Sequence, residues 1–209
     1  MKPIRIIAPP LAANCYLLLD KRKALIDVGG DPEFIIKSIK KYIDLKDLDF
    51  VFLTHSHFDH AAAAFILEEI AEIVIHEEEY KFVKNYNFKS IIFGIKYKPF
   101  KPSILVKGGE TFELGDIELH IIHTPGHSPG SICLYEPKKK WLFSGDTVFA
   151  YGSFGRVDLL GGDATKLIKS LETISNLDVE NLYPGHEEVI EGNANLHISR
   201  SLRIAKSFL

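Results

Sequence analysis

The chain has 209 residues, 46% of them hydrophobic and 25% charged, a balance that excludes wholesale disorder and supplies enough apolar surface for one well-buried domain. Its 25 Lys and Arg against 28 Asp and Glu give a formal charge of −3, which argues against an electrostatic nucleic-acid binder, so the lysines at 96–101 and 138–140 read as solvated faces. The start, Met1 to Pro10, lacks a cleavable apolar core and no run reaches membrane-spanning length, so a cytoplasmic protein with no membrane partner is expected.

In chain order, Ile4 to Ala8, Cys15 to Leu19 and Lys23 to Ile26 read as short strands of an antiparallel sheet, with Asp20-Lys21-Arg22 as a hairpin turn. Cys15 and Cys133 stand alone in apolar runs, the setting of buried thiols rather than of a disulfide. Asp31-Pro32 caps a helix whose apolar positions Phe34, Ile35, Ile39, Tyr42 and Ile43 recur at helical spacing. Phe50 to Leu53 is a buried strand, and the stretch from Ala61 to Ile70 is Ala-rich and helix-favouring. Ile73 to His76 follows as a strand and Glu77 to Lys84 as a helical turn or two. From Asn85 to Ser103 the pattern gives way to Tyr86, Phe88, Phe93, Tyr97 and Phe100 among lysines and Pro99 and Pro102. Bare surface loops seldom carry so many aromatics, so an insert or lid is expected at about 85–103, packing over the domain or a partner chain. Ile104 to Val106, Thr111 to Leu114, Ile117 to Ile122, Ser131 to Tyr135 and Lys140 to Ser144 then form a second antiparallel sheet. Asp163 caps a helix from Ala164 to Ile174, Asn181 to Tyr183 is a last strand and Ala194 to Phe208 a closing helix. This order predicts a single α/β domain over residues 1–209, two sheets packed face to face with helices outside.

The stretch Thr54-His55-Ser56-His57-Phe58-Asp59-His60 concentrates three imidazoles and a carboxylate behind a buried strand, where open α/β sheets place their ligands. Imidazole nitrogen and carboxylate oxygen are the donors that zinc and iron(II) take from proteins. In extended backbone residues i and i+2 face the same way, so His55 and His57 can converge on one ion, while Asp59 and His60 are aimed differently and can hold a second. Three later places repeat one design, a strand followed by glycine or proline and then a donor: Thr124-Pro125-Gly126-His127, Ser144-Gly145-Asp146-Thr147 and Pro184-Gly185-His186. Each alone is weak, because a histidine after a turn is more often a surface or core residue; with the first motif they form a set.

In order and spacing that set resembles the metallo-β-lactamase superfamily over nearly the whole chain. The stretches Gly152 to Asp158 and Gly161-Gly162-Asp163, and the opening Asn14-Cys15-Tyr16-Leu17, are similar to hydroxyacylglutathione hydrolases (glyoxalase II) and their short relatives. The resemblance implies a four-layer αββα sandwich with a metal cleft along one sheet edge. It implies one ion on His55, His57 and His127, a second on Asp59, His60 and His186, and Asp146 bridging them. Two divalent ions are expected, zinc first, with iron or manganese as alternatives. Asp27 matches a family position that braces the motif loop, a plain turn-forming aspartate being the other reading. His123 is read as a support behind the ligands or as structural, Arg156 and Asp158 as an ion pair that shapes their loop in preference to direct catalysis, and His76, His120 and His197 receive no role.

Metal binding lowers the pKa of water from about 15.7 to about 7, which yields a hydroxide nucleophile that Asp59 and Asp146 would orient and deprotonate. The expected function is therefore metal-dependent hydrolysis of a small thioester or ester, of the glyoxalase II type, with the thiol carrier open. The chief alternative is a persulfide dioxygenase with a single iron, by resemblance on His55, His127 and Asp146. A lactonase and a non-catalytic metal-binding domain are lesser readings, and a β-lactamase proper is set behind them by the lack of a secretion signal. The insert at 85–103 is the expected place for substrate selection or a homodimer contact.

Overall fold

The computed structural model describes residues 2–85 and 98–209; residues 86–97, which hold most of the insert expected at 85–103, lie outside them. The chain forms two compact units, one of Met1–Val106 with Glu113–Ile117, the other of Lys107–Phe112 with Glu118–Leu209.

The first unit is built on a six-stranded sheet in sequence order: β1 (Ile4–Ala8), β2 (Ala13–Leu18), β3 (Lys23–Ile26), β4 (Leu48–Phe52), β5 (Glu72–His76) and β6 (Ile104–Val106). The first three strands are antiparallel, as expected, and β3 to β6 are parallel. Val51 stands between Leu25 and Ile73, so β4 is an interior strand of the parallel part, and Phe50, Val51 and Phe52 are all buried. That position explains the unbroken apolar run that delivers Thr54 to His60 to a strand end. Ile104–Val106 corrects the sequence reading: it closes the first sheet, pairing parallel with β5, instead of opening the second.

The helix α1 (Pro32–Ile39) begins where Asp31 accepts the amide hydrogens of Glu33 and Phe34, and it buries Ile35 and Ile39 against the strands. Tyr42, expected on its apolar face, lies beyond the helix end and is 49% exposed. The Ala-rich stretch is not one helix from Ala61 to Ile70. It is a single α turn, α2 (Phe58–Ala61), followed by a 3-10 turn at Ala64–Ile66. Ala61, Ala63 and Ala64 join the core with Leu67, so small size under a tightly folded loop outweighs helix propensity there. The helix α3 (Glu77–Asn85) follows β5 directly.

The second unit holds β7 (Thr111–Glu113), β8 (Glu118–His123), β9 (Ile132–Glu136), β10 (Trp141–Gly145), β11 (Asn181–Pro184) and β12 (Ile190–Glu191), again adjacent in sequence order. It is mixed rather than antiparallel throughout: β10 and β11 run parallel, because α4 (Ala164–Ser175) makes the crossover between them. Asp163 caps α4 by accepting the Lys166 amide hydrogen at 3.0 Å. The closing helix, α5 (Ala194–Phe208), packs Ile198 and Ala205 into one core with Leu167, Leu171 and Ile174 of α4 and Leu142 and Leu182 of the sheet. The end of β7 and the turn after it belong to the first unit, where Asp20 Oδ2 accepts the Ile117 amide hydrogen at 2.8 Å and Arg22 N–H donates to Leu114 O at 2.7 Å.

Both cysteines are buried and outside any disulfide. Burial pushes the Cys133 thiol up to about 11 and Cys15 well above the usual thiol range. Among the described residues no helix is long and apolar enough to cross a membrane.

Candidate metal centre

In the first unit the motif loop leaves β4 and enters α2 at His57, the residue before its first turn. Asp27, at the end of β3, holds that loop. Its Oδ1 accepts the Thr54 amide hydrogen at 2.8 Å, and its Oδ2 accepts the Thr54 hydroxyl and His60 Nδ1–H, both at 2.8 Å. Because the carboxylate accepts, the proton of His60 sits on Nδ1 and its lone pair on Nε2. The Thr54 proton is committed to Asp27, so Thr54 Oγ1 accepts from His55 Nδ1 at 3.0 Å, which sets His55 in the same tautomer. One buried carboxylate thus orients two imidazoles, one directly and one through a hydroxyl. Asp27 adopts a left-handed φ of 57° to do so, a conformation that Asp tolerates better than most residues.

His55, Asp59 and His60 are buried and His57 half-buried. Ligand atoms of His55 lie within 4.8 Å of those of His57 and of His60, and Asp59 Oδ2 is 3.8 Å from His60 Nε2. All four donors of the motif are therefore gathered at one strand end. Sequence reasoning missed a fifth participant. Glu79 of α3 accepts the Ser56 amide hydrogen at 2.9 Å and the Ser56 hydroxyl at 2.5 Å. In the run Glu77-Glu78-Glu79 it carries no signal that separates it from a solvated helix start.

In the second unit His127 follows β8 through Gly126, where an added Cβ would fall 2.3 Å from the Leu167 backbone nitrogen, so only glycine fits. His127 Nδ1 donates to the Arg156 carbonyl at 2.7 Å, and a carbonyl only accepts, so this lone pair too is on Nε2. Asp146 and His186 come together because they end the parallel neighbours β10 and β11, tied by Gly185 N–H donating to Gly145 O at 2.8 Å. Asp146 Oδ2 lies 3.4 Å from His127 Nε2 and 3.7 Å from His186 Nε2, an oxygen set between two imidazole nitrogens as in a bridging ligand. The Phe149 ring meets His186 edge-on, with centroids 6.1 Å apart.

The remaining candidates are structural. His123 Nε2 bonds the Pro129 carbonyl at 3.0 Å, and Arg156 and Asp158 form a two-pronged ion pair at 2.9 and 2.7 Å. His76 accepts from the Glu78 amide, His120 pairs with Glu118, and His197 accepts from the Tyr151 amide.

The donor set fits divalent metal. Imidazoles whose Nδ1–H is taken by a carboxylate, a hydroxyl or a carbonyl turn Nε2 outward as a ligand, the arrangement metal-binding histidines commonly show. Nitrogen with carboxylate oxygen suits zinc, iron and manganese and gives calcium too few oxygens.

Known proteins resemble the chain over most of its length. It is 39% identical over 188 residues to a probable metallo-hydrolase of Methanocaldococcus jannaschii, covering 85% of this chain and 89% of the other. It is 37% identical over 167 residues to the hydroxyacylglutathione hydrolase GloC of Haemophilus influenzae, covering 77% of each. Among solved structures, a B3 metallo-beta-lactamase superposes with a TM-score of 0.79 at 30% identity over 97% of both chains. A protein crystallised in a di-iron-bound form gives 0.73 at 30% identity, over 91% of this chain and 94% of that one. The metallo-beta-lactamase superfamily itself matches residues 8–186, from the last residue of β1 to the third histidine-bearing turn. A match that takes in every candidate donor from His55 to His186 makes this chain a member of the metallo-beta-lactamase superfamily.

Proposed function

We propose that the two ligand sets work as one centre for two divalent ions and that the chain hydrolyses small thioesters or esters. His55, His57 and His127 would hold one ion, Asp59, His60 and His186 the other, with Asp146 shared; both units would then serve one catalytic domain. The observation that carries this reading is the position of Asp146 Oδ2 between Nε2 of His127 and Nε2 of His186, one nitrogen from each proposed set. Zinc is the first candidate for both places, and the relative with two irons supports the count of two more than the identity of the ion.

When bound, such a pair supplies Lewis acidity that brings the pKa of an intervening water from about 15.7 down to about 7 and polarises a substrate carbonyl. The chain's own residues do the rest. Asp59 and Asp146 would orient a water held there by accepting its hydrogen bonds, and one of the two would take up its proton at a carboxylate oxygen. Asp27, through Thr54 and His60, keeps both imidazoles turned so that Nε2 is the ligand. A thiolate nucleophile is disfavoured, since both cysteines are buried with raised pKa values, and the Gly-x-Ser-x-Gly stretch at 126–130 joins two strands rather than a strand to a helix, with Ser128 buried and hydrogen-bonded to Ser131. The likeness to a hydroxyacylglutathione hydrolase favours thioesters among the carbonyl substrates.

Elemental analysis with a substrate panel tests the reading. Two ions per chain and steady-state turnover of lactoylglutathione or another acyl-thiol ester are expected. A metal-replete sample that turns over β-lactams but no thioester or ester would overturn the substrate class. One iron per chain with oxygen uptake on a persulfide would replace hydrolysis by dioxygenation.

A further inference from the structure

Three consecutive glutamates open α3, and they have different fates. Glu78 is exposed and pairs with Lys81 at 2.8 Å, Glu77 is half-buried, and Glu79 is wholly buried at 0% exposure. Burying a carboxylate is unfavourable unless its oxygens are hydrogen-bonded. Glu79 Oε1 takes two such bonds from outside its own helix, from the amide and the hydroxyl of Ser56, and Ser56 is itself buried.

Ser56 is the residue between His55 and His57. Asp27 reaches the same loop only at its ends, Thr54 and His60, so the middle is held by Glu79. In extended chain neighbouring residues face opposite sides, and a residue fixed at both backbone and side chain fixes the directions of the two beside it. We infer that Glu79 is a positioning residue for the His55–His57 pair, clamping Ser56 so that the two imidazoles keep the separation one ion requires, and that it ties ion binding there to α3. The inference rests on the proposed metal centre and extends it to a residue that touches no ion.

Titration of metal-free chain with Co2+, followed by visible absorption, tests it in wild type, Glu79→Ala, Glu79→Gln, Ser56→Ala and the Glu79→Ala/Ser56→Ala pair. Glu79→Ala is expected to bind Co2+ roughly ten- to hundredfold more weakly, with shifted ligand-field bands, as when an outer partner of a ligating histidine is lost. Glu79→Gln keeps an accepting carbonyl and should lose less than about tenfold. Ser56→Ala should weaken binding in wild type and add nothing in the Glu79→Ala background, where its hydroxyl has already lost its acceptor. A Glu79→Ala chain that is folded by circular dichroism, with wild-type affinity and bands, overturns the inference. Should that variant not fold, wild-type behaviour of both Glu79→Gln and Ser56→Ala overturns it equally. A wild-type chain that takes up no Co2+ overturns the metal centre, and this inference with it.

Discussion

The two units hold their donors by different means. In the first, four donors share one short loop, and buried side-chain carboxylates keep them in place, Asp27 on Thr54 and His60 and Glu79 on Ser56. In the second, three donors end three different strands and are held by backbone: the Arg156 carbonyl for His127, and a hydrogen bond between Gly185 and Gly145 for the strand ends that carry His186 and Asp146. A side-chain brace can be removed one group at a time. A backbone brace survives any change that leaves the main chain in place, so the sensitive positions in the second unit should be glycines rather than polar residues.

Gly155 gives that comparison its most severe test. An added Cβ there would lie 1.8 Å from the Asp146 carbonyl oxygen and 2.9 Å from His127 Nδ1, so the backbone between two donors has to move. Gly155→Ala is expected to lose about 3 kcal/mol or more, a fall in Tm of at least about 6 °C for a chain of this size, together with most ion uptake. Thermal denaturation and elemental analysis decide it, and a variant with wild-type Tm would break the comparison.

Next in size is Asp27→Asn. Asn tolerates the left-handed φ of 57°, so the change isolates the acceptor chemistry. An amide nitrogen cannot accept, which leaves at least one buried donor of Thr54 or His60 without its bond, at about 1–3 kcal/mol. Ion affinity should drop roughly ten- to hundredfold by chelator competition; an unchanged affinity would mean that Asp27 only shapes a turn.

Arg156→Ala should do almost nothing, although Arg156 supplies the group that orients His127. The carbonyl remains, and among the described residues the guanidinium pairs with exposed Asp158 alone. Loss of ion uptake in this variant would show that the side chain, not the backbone, is the brace.

The smallest effect sharpens the contrast by reporting on each unit separately, since Cys15 lies in the first and Cys133 in the second. With the Cys133 thiol pushed up to about 11, about one molecule in a thousand carries the thiolate at pH 8, so native protein should resist thiol reagents until it opens. The sign for stability follows. A thiol held neutral by the fold stabilises it fully below the unfolded thiol's pKa of about 8.5, and that contribution fades as pH rises toward about 11. In Gly155→Ala, Cys133 should become reactive before Cys15; the reverse order would place the damage in the wrong unit.

The four candidate donors of the first unit were legible because six residues carry them all, a density with no ordinary structural use. The three of the second unit were legible only through recurrence, a glycine or proline turn after a strand in three places. What escaped the sequence has physical reasons. Apolar period reports that Ile104–Val106 is a strand but not which strand it joins, and its partner β5 is distant in sequence. The alanines after His60 have the best helix propensity, yet the fold uses their small size, with Val28 N–H donating to His60 O and Ala63 N–H to Gly29 O in place of a regular helix ladder. Glu79 looks like its neighbours until burial separates them.

The turn at Glu113–Ile117 has a consequence for how the protein is made. Asp20 and Arg22 bond residues 117 and 114, and Gly115 comes so close to Asp20 that an added Cβ would lie 2.5 Å from its Oδ1. During synthesis the chain emerges from its N-terminus, so the first unit waits for a stretch made after the opening residues of the second have already appeared. A fragment stopped at Val106 would hold all six strands of the first sheet and still lack the partners that finish its β2–β3 corner.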